Sequence, residues 1–200
     1  EPGVTEIGKN AFWDCRNLKE ISISNTVTHI AEYALSDTGI ESIFLPASVS
    51  QIDHDALGGM TASEGIWVDE NNPYFCNDEY GVLYSKDKTV LYKAPASLSG
   101  SYVIPNTVHT LKMFSGVTDL TVGENVRDAS SSLKIYPGLR KLTWLAPGLS
   151  SGYFWTSTME NDCIQILELG SQTRGISADF ISSCTALETI TVPEENSFFQ

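Results

Sequence analysis

The feature that most constrains this chain is a pattern of apolar residues that recurs about every twenty-two positions. The first copy runs through Val4, Ile7, Gly8, Ala11, Phe12, Cys15, Leu18, Ile21 and Ile23. The last complete copy, Thr173, Ile176, Ser177, Phe180, Ile181, Cys184, Leu187, Ile190 and Val192, aligns with it without a gap. Two further copies open at Val27, Ile30, Ala31, Ala34, Leu35 and at Val49, Ile52, Asp53, Ala56, Leu57. Eight residues take the same inward place: Ile21, Ile43, Ile66, Tyr102, Leu120, Leu142, Leu167 and Ile190. Their spacings are 22, 23, 36, 18, 22, 25 and 23. A unit this short cannot bury its apolar face alone, but a stack of such units can, each covering the next.

The two halves of the unit carry different periods. Ile21 and Ile23 are two apart and share one face of a predicted strand. Ala11, Phe12 and Cys15 are spaced for one or two predicted helical turns. Pro46, Pro105 and Pro193 follow strands and end them. The expected fold class is therefore α/β. It is a leucine-rich-repeat right-handed solenoid, with a curved parallel β-sheet, short helical turns on the convex side and a β-hairpin insertion. Residues 1–200 form a single solenoid of about eight turns in this reading, with the insertion at 69–100 and an irregular stretch at 123–163. In the insertion, the strand-like runs 81–85 and 89–92 flank a turn at Lys86-Asp87-Lys88. In the irregular stretch, Tyr153, Phe154 and Trp155 lie among Ser and Gly and are expected to form a convex loop. Residues 192–199 repeat the composition that opens the insertion at 68–75. The chain also begins in mid-unit, so it is expected to be a piece of a longer array.

The run Val4-Thr5-x-Ile7-Gly8-x-x-Ala11-Phe12-x-x-Cys15-x-x-Leu18-x-x-Ile21-x-Ile23 resembles the unit of the BspA-like leucine-rich-repeat proteins. The insertion also resembles one seen in that family: Asp69 to Tyr74, then Gly81-Val82-Leu83-Tyr84, then Lys86-Asp87. The resemblance covers nearly the whole chain outside 123–163. It implies a secreted or cell-surface protein of bacteria or protists that binds host proteins or other cells. It brings no catalytic residues with it.

Most conspicuous polar residues have structural readings. Cys15 and Cys184 share one repeat position and are expected as small buried groups. Cys76 and Cys163 are expected as free thiols. His29 and His109 are expected at the surface. The run Asp53-His54-Asp55 suggests a metal, but Asp53 stands at the predicted helix entry and is read as its N-cap, so no metal site is assigned. Asp69 to Asn72 and Asn77 to Glu79 are read as solvated turns rather than a calcium cradle.

The outward strand positions are more informative. Between the inward anchors lie Ser22, Phe44, Trp67, Val103, Thr121, Thr143, Glu168 and Thr191. Phe44 and Trp67 are neighbours in the ladder, and exposed adjacent aromatics suit a ligand. Ser42 and Asp69 flank them, so Phe44, Trp67, Ser42 and Asp69 are the candidate ligand-binding residues. Three readings stand side by side: a protein-binding surface, a sugar-stacking surface, and a patch covered by the inserted hairpin.

A net charge of −13 argues against a nucleic-acid or anionic-lipid surface. No apolar run is long enough to span a membrane. The expected function is a non-catalytic extracellular or cell-surface adhesion module. It would act as a monomer without cofactor or direct membrane insertion, and bind a host or neighbouring-cell protein, or a glycan. A structural spacer and a carbohydrate-binding accessory module are the alternatives.

Overall fold

A computed structural model describes residues 3–112, 116–129, 138–149, 163–176 and 178–199. The chain divides into two compact units, Glu1–Ser97 and Leu98–Gln200, and each is a β-solenoid in its own right.

Unit 1 contains β1 (Glu6–Ile7), β2 (His29–Ile30), β3 (Ser42–Leu45), β4 (Gln51–Ile52), β5 (Gly65–Val68), β6 (Phe75–Asn77), β7 (Leu83–Ser85) and β8 (Val90–Lys93). Each coil has a short strand, a turn segment and a longer strand. The short strands β1, β2 and β4 pair in parallel, with Ile7, Ile30 and Ile52 in register. The longer strands β3 and β5 also pair in parallel, with Ile43 opposite Ile66. The inward residues Ile30, Leu35, Ile40, Ile43, Leu45 and Ile66 are buried and form one core.

The segment expected to be helical is not a helix. Its N–H groups alternate between two kinds of acceptor. Ala11, Trp13 and Cys15 donate within the coil to Gly8, Asn10 and Phe12. Asn10, Phe12 and Asp14 instead donate across to Glu32, Ala34 and Ser36 of the next coil. The second coil repeats this towards the third, where Leu35 donates to Ala56 and Asp37 to Gly58. An α-helix would keep every one of these bonds inside the segment. The alternation forces every fourth residue into left-handed backbone: Asn10 (φ 59°), Asp14 (60°), Tyr33 (57°), Asp37 (55°), Asp55 (53°) and Gly59 (62°). Asn, Asp and Gly tolerate that conformation best and take five of these six places. The α/β expectation is thus corrected to a nearly all-β solenoid. Among the described residues the one helix is α1 (Ala178–Ser183), in the second unit.

Coil 1 differs from its neighbours. Residues 18–23 form no regular strand, and Phe12, Leu18 and Ile21 are only half buried, since coil 1 packs against a neighbour on one side. For the same reason Cys15 is exposed rather than buried as expected.

At the end of β5 the chain leaves the solenoid path, and Asn72 directs the exit. It stands where Val27 and Val49 stand in the preceding coils, and it is fully buried. Its Nδ2 donates to the carbonyls of Pro46 (2.9 Å) and Val49 (3.0 Å). Its Oδ1 accepts from the N–H of Tyr74 and of Phe75, both at 2.8 Å. The expectation of a solvated turn therefore fails at this residue. Beyond it, β6, β7 and β8 form an antiparallel three-strand meander in place of the expected two-strand hairpin. The meander has its own packing: Tyr84 is fully buried, and Phe75 meets Tyr92 edge-to-face at 5.3 Å. The expected turn at 86–88 is present. The Asp87 carboxylate accepts from the Ser85 hydroxyl (2.7 Å), the Thr89 N–H (3.0 Å) and the Thr89 hydroxyl (2.8 Å).

Unit 2 contains β9 (Ser101–Val103), β10 (Thr110–Leu111), β11 (Asp119–Val122), β12 (Asp128–Ala129), β13 (Lys141–Trp144), β14 (Gly148–Leu149), β15 (Ile166–Leu169), β16 (Gly175–Ile176) and β17 (Thr189–Thr191). Five strands, β9, β11, β13, β15 and β17, make one parallel sheet in which Tyr102, Leu120, Leu142, Leu167 and Ile190 are mutually in register. Within the stretch expected to be irregular, β13 lies inside the sheet as its anchor Leu142 predicts, and β12 and β14 are regular too, pairing with β10 and β16. Trp144 is buried, and its indole N–H donates to the Gly148 carbonyl at 2.8 Å. The expected aromatic loop at 153–155 lies outside the described residues. Cys184 is buried as expected, which pushes its thiol up to about 11. Asn196 repeats the bonding of Asn72. It donates to Gly170 and Thr173, both at 2.9 Å, and accepts from Phe198 and Phe199.

Two predictions follow from this packing. Ile66→Ala should destabilise the protein by about 2–5 kcal/mol through the cavity it leaves, and Ile190→Ala, half exposed on β17, by less than half as much; urea unfolding of the two variants compares them. The hydrogen bonds to Asp87 hold its carboxyl at about 2 against an ordinary 3.8. Its contribution to the β7–β8 turn is therefore complete above the ordinary value and is lost as pH falls through about 2, which an NMR carboxyl titration should show.

Candidate functional site

Phe44 and Trp67 occupy opposed positions on β3 and β5, in register across the parallel pair. Adjacent parallel strands lie about 4.8 Å apart, so the two rings leave the sheet side by side. Inward alternation fixes their direction: Ile43, Leu45 and Ile66 face the core, and the residues between them face out. Phe44 is 53% exposed and Trp67 38%.

The meander does not lie over them. It closes the open edge of β5, the strand's hydrogen-bonding side rather than its outward face. Ile66 N–H donates to the Gly81 carbonyl at 3.0 Å, and Val68 N–H to Oδ1 of Asn77 at 2.9 Å. These bonds satisfy an edge that would otherwise be open to another strand. The close approach depends on two glycines. A Cβ on Gly81 would stand 2.8 Å from the Gly65 Cα, and both residues have positive φ, 75° and 110°. A Cβ on Gly65 would also meet Trp67, 3.2 Å from its Cζ2 and 3.3 Å from its Cε2. The indole thus folds back along its own strand onto the bare backbone of Gly65. That glycine both admits the meander and lets the ring lie down.

The other two candidate residues have different surroundings. Ser42 pairs with Gly65 and is half buried, two residues before Phe44 on the same outward face. Asp69 opens the turn that leads off β5. Its own N–H donates to Leu45, and its Oδ1 accepts from the backbone and side-chain nitrogens of Asn71 at 2.9 and 3.1 Å. The place of Asp69 matches that of Pro46 one coil earlier, each opening a turn onto the residue three further on. Sequence reasoning missed that Gly65 and Gly81 meet beside Trp67. A hairpin drawn as a separate projection gives no reason to bring residues 79–81 to the edge of β5.

The histidines are also placed. His29, expected at the surface, is half buried between coils, with Nε2 2.9 Å from Oδ2 of Asp53 and Nδ1 3.7 Å from Oε1 of Glu6. Asp53 is therefore no helix N-cap. It also accepts from Nε2 of Gln51 at 2.7 Å, and these bonds hold its carboxyl below the usual range. His109 is exposed, as expected. His54 Nδ1 lies 3.0 Å from Oδ2 of Asp55. Among the described residues, no three His, Cys, Asp or Glu side chains are grouped to hold a metal ion. No helix among the described residues is long and apolar enough to cross a membrane.

Comparison with known proteins agrees with this geometry. Residues 1–78 match the model of the BspA type leucine rich repeat region, in six copies. No curated protein matches the chain in sequence. Three solved structures share its fold. The pneumococcal vaccine antigen PcpA is similar over 97% of this chain and 56% of its own, at 20% identity and TM-score 0.66. A leucine-rich repeat protein from Eubacterium ventriosum is similar over 96% and 71%, at 20% identity and TM-score 0.57. A leucine rich cell surface protein from Faecalibacterium prausnitzii is similar over 96% and 58%, at 19% identity and TM-score 0.68. The chain thus spans little more than half the length of two of these three. Left-handed turns, stacked isoleucines and the family match coincide in the first unit, and residues 1–78 of this chain are a leucine-rich-repeat region of the BspA type.

Proposed function

We propose that this chain is a non-catalytic binding module of a secreted or cell-surface protein, with the ligand meeting the strand face at Phe44 and Trp67. The observation that carries this reading is the exposed aromatic pair, in register on adjacent strands and left uncovered by the meander. Large apolar side chains gain most by leaving water, and those at the centre of an interface carry much of its binding energy. The fold supports the reading, because stacked coils hold the two rings at a fixed spacing and little order has to be created on binding. The repeat type and the surface-protein description of the Faecalibacterium neighbour fit an extracellular adhesion role. Ser42 lies on the rim of such a surface. Asp69 serves mainly to shape the turn beside it.

A double substitution tests this. Phe44→Ala with Trp67→Ala should leave the urea midpoint nearly unchanged, since both rings are largely outside the core. Binding of the purified protein to arrays of extracellular-matrix proteins, bacterial surface proteins and glycans should fall about thirtyfold, each of the two lost aromatic anchors contributing roughly 1 kcal/mol. Array binding equal to that of the parent would sink the assignment and leave a structural spacer. Loss of the folded state would show instead that the pair belongs to the core.

A further inference from the structure

Charge around the aromatic pair narrows what could occupy it. Residues 1–97 hold fifteen Asp and Glu against six Lys and Arg, and so carry most of the chain's negative excess. The cations of the first coil are already engaged: Lys9 with Glu32 at 2.5 Å, Arg16 with Asp14 at 2.5 Å, and Lys19 with Glu41 at 3.1 Å. Glu64 and Glu79 are exposed and have no cation beside them in an ion pair among the described residues, although the Glu79 carboxylate accepts from the Tyr80 hydroxyl. Glu64 immediately precedes Gly65, and Glu79 is two residues before Gly81. The backbones of Gly65 and Gly81 touch, so the chain brings residues 64 and 79 to the neighbourhood of the Trp67 ring. Tyr80, between Glu79 and Gly81, is 54% exposed.

We propose that this patch takes a cationic segment of a partner protein, an arginine or lysine side chain lying on the Trp67 indole with Glu64 and Glu79 as its counter-charges. The inference rests on the binding-surface reading above and adds the chemistry of the occupant. An aromatic face attracts a cation through its quadrupole, most strongly for indole. A guanidinium can stack on the ring and donate to carboxylates at its rim in the same pose. The indole laid against Gly65 offers the broad surface such stacking needs. The protein uses the same contact internally: Lys88 sits 5.7 Å from the Tyr84 ring centroid, and Arg174 sits 5.2 Å from that of Phe198. Excess negative charge in this unit would also draw a basic partner in and repel an acidic one.

The test titrates the full chain, labelled with 15N, with a hexa-arginine peptide, a hexa-glutamate peptide and cellohexaose, following the indole N–H signal of Trp67 in the parent and reading the affinities of parent and variants by calorimetry. Hexa-arginine should shift that signal, and its affinity should fall about tenfold in the Phe44→Ala, Trp67→Ala variant and about fivefold in Glu64→Gln, Glu79→Gln. Hexa-glutamate should leave the signal unmoved. Hexa-arginine binding that both variants retain would be unspecific attraction to an acidic protein, and would overturn the inference. So would a response to cellohexaose or hexa-glutamate with none to hexa-arginine, although the binding surface itself would then stand. No response to any probe would also overturn it, and the array experiment would then judge the surface independently.

Discussion

Backbone hydrogen bonds that run from coil to coil are the interaction on which the rest depends. In unit 1 the Thr5 carbonyl accepts from both Thr28 and His29, and the Thr28 carbonyl from both Ser50 and Gln51. In unit 2 the carbonyls of Thr118, Arg140 and Gln165 each accept from two successive N–H groups of the next coil in the same way. The turn segments join the ladder through their alternate N–H groups. Nearly every side of the coil is thereby tied to its neighbour, and buried polar backbone is satisfied without a helix. Side chains then have little choice of place. Each inward residue meets its counterpart one coil away, and each outward residue stands in a column.

The inward column was legible because it depends only on period. Seven of the eight anchors read from the sequence lie on strands, and every strand pair described between them keeps the expected register. The turn half was misread because apolar spacing of three and four residues is common to a helix and to a run of tight turns. The signal that separates them was present: Asn10, Asp14, Asp37, Asp55 and Gly59 recur at the places that need left-handed backbone. Asp53 was misjudged for the same reason, since a cap presupposes a helix. The outward direction of Phe44 and Trp67 was also legible from alternation. Whether the insertion covered them was not, because that depends on which surface of β5 the meander meets, and a pair of glycines far apart in sequence decides it.

Gly65 illustrates how one residue can couple fold and surface. Its missing side chain admits the Gly81 backbone, which completes the edge of β5, and it gives the Trp67 ring somewhere to lie. Stability and the shape of the exposed patch thus share a determinant. A larger residue would disturb both through strain at positive φ and through displacement of the indole.

The exit at Asn72, whose bonding Asn196 repeats, has a consequence for how such chains change over time. Each asparagine takes its four partners from two corner carbonyls of the coil before it and from two N–H groups just after itself. The same corner recurs in coil after coil, with valine at 27, 49, 108 and 126. A single valine-to-asparagine change therefore supplies much of what a coil needs to release the chain outward, because the acceptors already exist. Excursions of new length and sequence can be tried at one coil while its neighbours keep their register. The solenoid behaves as a rail with identical sockets, on which the variable parts can be moved without rebuilding the track.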